Sequence, residues 1–131
     1  MKDSNQDRFL FNEHLDRAFL DELFEGDSVY AQVVFEDFLR DLPDYWKDVE
    51  MAHMNLDPKG LRTSVHKCKT LFGYVGFTDI QQLCQKLEDS CSADQAAQER
   101  PDFHVLLERK EEAQQIIENE YKRLKLFNAG C

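Results

Sequence analysis

Apolar residues return every three or four positions along this chain, and no stretch alternates apolar with polar residues cleanly enough to mark a strand. The pattern predicts an all-α fold. A short first helix is expected around Leu15 to Phe24 (LDRAFLDELF), ending at Gly26, where a residue past a helix end must accept positive φ. Asp27 or Ser28 then caps a second helix running to about Met54, with Phe35, Leu39, Leu42, Trp46 and Val49 along one face. Pro43 lies inside it, removes a hydrogen bond and crowds the carbonyl of Leu39, so a kink or brief break is expected there.

Asp57-Pro58 is a start signal, an N-cap side chain followed by proline at the first helical position. The third helix should carry Leu61, Val65, Cys68 and Phe72 inward and end near Gly76. Thr78 and Gln81 have the spacing of a capping box, which would open a fourth helix with Leu83, Cys84, Leu87 and Cys91 inward. Polar residues 92 to 100 read as a loop. Pro101 starts a last helix in which Phe103, Leu106, Leu107, Ala113, Ile117, Tyr121 and Leu124 repeat until Asn128-Ala129-Gly130. Four long helices with short connections pack most simply as an antiparallel up-down four-helix bundle, the short N-terminal helix covering one end. Residues 1–13 are expected to be a flexible or partly helical lead, and the whole chain, 1–131, a single domain.

Charge narrows the function. The chain has 26 acidic against 16 basic residues, a formal net charge of −10, so its average field repels phosphate backbones and anionic lipid. Neither nucleic acid nor membrane is expected as a partner. The start MKDSNQDRFLF is polar and acidic, unlike a signal peptide, and no long apolar run follows, which points to a cytoplasmic protein. Cys68, Cys84, Cys91 and Cys131 have neither zinc-site spacing nor the density of a disulfide scaffold, and the first three fall on apolar stripes as small core residues.

The third helix carries a second stripe beside its apolar one: Arg62, His66, Lys69, Thr70 and Gly73. At 3.6 residues per turn these share a face about 100° round from the buried residues, because His66 directly follows Val65. His66 should therefore sit beside the core yet reach solvent, with Arg62 one turn before it and Lys69 one turn after. Two cations beside a histidine in an acidic chain ask for an anion, and a phosphoryl group on the ring would gain charge-assisted hydrogen bonds there. Gly73, lacking a side chain, is expected to leave the surface open for a partner.

The segment His66-Lys67-Cys68-Lys69, with Gly76 ten residues after the histidine, resembles the signature of histidine-containing phosphotransfer (HPt) domains. The upstream FLDELFEGDSVYAQVVFEDFLRDLPDYW is similar to the same family, and the resemblance covers roughly residues 15 to 95. It implies a four-helix bundle, His66 as phosphoacceptor and Lys69 as the residue that neutralises the phosphoryl group. It also implies response-regulator receiver domains and a hybrid sensor histidine kinase as partners, acting on a monomer. The chain would then be a stoichiometric carrier rather than an enzyme. It would hold no cofactor of its own and rely on Mg²⁺ supplied by the receiver, since no P-loop, kinase-type glycine loop or acid cluster is present in the sequence.

One position departs from the family pattern. Members usually carry glycine immediately after the lysine, where this chain has Thr70, whose branched side chain should project beside His66. The alternative it leaves open is a non-catalytic helical adaptor that binds receivers and transfers little. Glu50-Met51-Ala52-His53 has the Glu-x-x-His spacing of di-iron bundles, but a site needs a second such pair and further glutamates, so no metal site is assigned. Exposed apolar residues near the start of the chain and on the second helix are expected to form a docking surface.

Overall fold

A computed structural model describes residues 8–91 and 101–130. The described residues form five helices: α1 (Arg17–Phe24), α2 (Ser28–Met54), α3 (Pro58–Tyr74), α4 (Thr78–Cys91) and α5 (Pro101–Asn128). The predicted loop at 92–100, the first seven residues and Cys131 lie outside the described part.

Local chemistry places most helix ends where the sequence reading put them. The Asp16, Asp27 and Asp57 side chains accept from the N–H groups of Phe19, Tyr30 and Gly60, capping α1, α2 and α3, and Pro58 opens α3 at no hydrogen-bond cost. Glu25 already adopts the left-handed conformation that stops α1, with Gly26 following at φ 82°. At Pro43, where the sequence predicts a kink or a brief break, α2 continues without a break. One detail differs from the sequence reading. The anticipated capping box does not form, because the Thr78 hydroxyl donates to Asp16 Oδ2 at 3.0 Å and the Gln81 N–H goes to the carbonyl of Phe77.

The inward stripes meet in one apolar core. Phe35, Phe38, Leu42, Trp46 and Val49 from α2 pack with Leu61, Val65, Cys68 and Phe72 from α3, Ile80, Cys84 and Leu87 from α4, and Leu106, Ala113, Ile117 and Leu124 from α5. Each of α2 to α5 packs against two of the others: α3 lies on α2 and α4, and α5 lies on the same two. Phe38 meets Phe72 edge-on at 5.6 Å, and Trp46 stacks on Phe103 at 6.1 Å. No described helix is long and apolar enough to cross a membrane.

Of the lead expected over residues 1–13, the structure describes residues 8–13. They form no helix, yet Phe9 and Phe11 are buried and their rings join the core beside Phe24, Phe35 and Phe127. Burial of two large aromatic side chains is strong enough to order an irregular segment without regular backbone pairing.

Candidate functional site

Helix α3 presents His66 on its outer face, with 61% of the side chain exposed, while Val65 and Cys68 on either side of it in sequence are fully buried. The ring is tethered from α4. His66 Nδ1 lies 3.0 Å from Glu88 Oε1, and the other oxygen of that carboxylate holds Lys69 Nζ at 2.8 Å. One nearly buried carboxylate thus brings imidazole and ammonium side by side, and Gln85 Oε1 accepts a further bond from Lys69 Nζ at 2.8 Å.

Opposite an ionised carboxylate, which only accepts, Nδ1 would carry the proton of that bond, and a neutral ring would then keep its lone pair on Nε2, on the other side of Cε1. An exposed imidazole held by one nitrogen and nucleophilic at the other is competent to accept an electrophile from a docked partner. The lysine, with 20% of its side chain exposed, has its charge within the same small cluster.

The remaining residues of the predicted stripe divide. Arg62 and Thr70 are exposed one turn before and one turn after His66, and the Thr70 hydroxyl leans 3.4 Å from the His66 carbonyl. Gly73 is not an opening. It is buried, and the amide end of Gln81 lies where its Cβ would be, so the missing side chain makes room for α4 rather than for a partner. His53, weighed for metal, stacks flat on Phe103.

Gln81 and Gln85 could be expected from the sequence to approach the stripe from the fourth helix, and they do so at Gly73 and Lys69, whereas Glu88 was not singled out. The available signal was Glu88 itself, an acid standing among Cys84, Leu87 and Cys91 on the inward face of α4. A carboxylate at such a position needs donors brought to it by another helix.

A family model, the Hpt domain, matches residues 33–125. The chain belongs to the Hpt domain family. Comparison with curated proteins and with solved structures gives no match. Hpt domains take part in the phosphotransfer of phosphorelays, working with receiver domains and kinases as carriers rather than as catalysts. The match spans α3 and α4 entirely, so the cluster of His66, Lys69, Gln85 and Glu88 lies inside the Hpt region.

Proposed function

We propose that this Hpt protein accepts a phosphoryl group on Nε2 of His66 from the phosphoaspartate of one receiver domain and passes it to another. The observation that carries the reading is the exposed imidazole tied at Nδ1 to Glu88, beside Lys69. In the transfer, the Nε2 lone pair attacks phosphorus, the N–P bond forms, the acyl P–O bond breaks, and the receiver's aspartate leaves as carboxylate. The Nδ1 proton faces Glu88, whose negative charge offsets the positive charge that develops on the ring. Lys69 needs only to swing from Gln85 toward the incoming oxygens, since it already sits beside the ring. The receiver supplies Mg²⁺ bound by its own carboxylates; this chain positions the nucleophile.

The opposed order of contacts between neighbouring helices supports the up-down antiparallel arrangement of the four long helices. Along α3 the pairs are His66 with Glu88 and Lys69 with Gln85, and between α2 and α3 they are Phe38 with Phe72 and Tyr45 with Lys67. Such a bundle holds a mid-helix side chain rigidly. A groove of about 380 Å³ between α1, α2 and the C-terminal half of α3, lined by Leu23, Tyr30, Val34, Phe38, Leu71 and Tyr74, supports receiver docking there, Tyr74 being exposed one turn beyond Thr70. Its α3 residues lie five and eight positions beyond His66, about 7.5 and 12 Å along the helix.

The test is direct. Incubated with a phosphorylated receiver, the protein should acquire acid-labile, base-stable label, and His66→Gln should abolish it while the helical content stays unchanged. Lys69→Ala should slow transfer more than it weakens receiver binding. Label persisting in His66→Gln rejects the acceptor assignment. A wild type that binds receivers but takes no label favours the adaptor reading that Thr70 raises.

A further inference from the structure

The segment ahead of α1 precedes the part matched by the Hpt family and is fastened at both ends. At its start, the Asn12 N–H donates to Glu120 Oε2 at 2.9 Å, and the Leu10 carbonyl accepts from Arg123 Nη2 at 2.9 Å. The Arg123 guanidinium also pairs with Glu120 and lies over the Phe9 ring, 4.6 Å from its centroid. Between Leu10 and Asn12, the Phe11 carbonyl accepts from Arg17 Nε at 2.7 Å. At its end, the Asp16 N–H donates to the Gly76 carbonyl at 2.8 Å, and its carboxylate accepts from Thr78.

Glu120 is 1% exposed, on the same inward stripe as Ala113, Ile117 and Leu124. A carboxylate in that position is costly to bury, and removing a partner leaves an uncompensated charge. It is on α5, whereas the acceptor cluster is on α3 and α4, so phosphotransfer chemistry makes no use of it. Its bonds go instead to the backbone of residues 10–12 through Arg123 and directly. Asp16, where the segment ends, is also the N-cap of α1. The α1 helix buries only Leu20 and Phe24, and its Leu23 forms one wall of the groove between α1, α2 and α3. The placement of that wall therefore depends on where the preceding segment is tied.

We propose that residues 8–16 are a strap, anchored on the buried carboxylate of Glu120, which fixes α1 as a wall of the receiver-docking groove and so sets receiver affinity from the far side of the domain. The partner is a receiver domain because whatever delivers phosphoryl to His66 must cover the adjoining surface of α3; Asp37 and Asp41 line the groove and share the single cation of Arg40, so the remaining negative charge favours a docking element carrying Lys or Arg. The strap rests on the docking half of the proposed function and is independent of whether His66 is labelled. Glu120 acts through Arg123, Asn12 and α1; it is a positioning residue.

The experiment compares the wild-type chain of 131 residues with Glu120→Gln and with a variant lacking residues 1–12. Three quantities are read: affinity for an unphosphorylated receiver, amide exchange, and labelling of His66 by phosphoramidate, which needs no docked partner. For Glu120→Gln we expect affinity to fall about fivefold or more. Exchange should speed at residues 9–16 while α3 and α4 keep their protection, and phosphoramidate labelling should be unchanged. The truncated chain should show the larger loss of affinity if it folds, and Glu120→Gln decides the matter if it does not. Faster exchange in the strap with undiminished affinity overturns the proposal. So does a parallel loss of affinity and labelling with protection lost throughout, which would make Glu120 a general support of the fold. If the wild type binds receivers but takes no label, the carrier reading fails while the affinity comparison still decides the strap. If the wild type binds no receiver, both fall.

Discussion

Glu88 and His66 are 22 positions apart in sequence, yet Glu88 Oε1 sits 3.0 Å from His66 Nδ1, with the carboxylate almost buried and most of the ring exposed. Packing fixes the buried partner, and the exposed ring is tethered to it. Glu88→Ala should therefore release both the ring and Lys69, lowering the rate of transfer from a phosphorylated receiver by about tenfold or more. Glu88→Gln, which keeps an acceptor for Nδ1, should lose less. Transfer rates read at saturating receiver, with nitrogen NMR shifts of the ring to follow its tautomer, separate an effect on the imidazole from one on docking. Equal rates in wild type and Glu88→Ala would remove the positioning role.

Thr70 is the chain's departure from the family pattern, and it lies one turn beyond His66 on the exposed face. Thr70→Gly should speed transfer by clearing the approach to the ring, with only a small loss of stability, about 0.5 kcal/mol, from the poorer helix propensity of glycine. Single-turnover transfer and urea denaturation measure the two effects separately. A rate that does not change means the threonine's bulk is harmless.

Gly76 turns the chain between α3 and α4 at φ 89°, and its carbonyl receives the Asp16 N–H. An added Cβ would stand 2.8 Å from Leu20 Cδ1 and 3.2 Å from Leu15 Cβ. Gly76→Ala should cost about 2 kcal/mol, from backbone strain and crowding together. By contrast, Gly73→Ala need only displace the flexible end of Gln81 and gains helix propensity, so its net effect should stay within about 1 kcal/mol. Equilibrium denaturation of the two variants gives the comparison, and similar losses would contradict it.

Burial pushes the Cys68 thiol up to about 12 and raises Cys84 as well. The thiolate is the reactive form, so a native chain should keep both residues from a thiol reagent at pH 7 and still at pH 9. Unfolding in denaturant should expose them to immediate reaction. Rapid labelling of either residue in the native chain, located by mass spectrometry, would show that this part of the core opens readily.

The helices, their inward faces and the exposed position of His66 were legible in the amino-acid order because they depend on local rules. The periodicity of Val65, Cys68 and Phe72 fixes which side of α3 is buried, and Asp57-Pro58 fixes where it starts. Other features depended on neighbours distant in sequence. Whether Gly73 faces solvent or Gln81, whether Thr78 caps its own helix or bonds Asp16, and which donors reach Glu88 are set by the rotation and axial register of one helix against another. Periodicity along a single helix carries no record of that register. Glu88 and Glu120, acids on otherwise apolar stripes, announced that donors must exist, since a buried carboxylate demands them. Only the packed structure supplied their names, because a charge in a core is satisfied by whichever groups the fold carries to it.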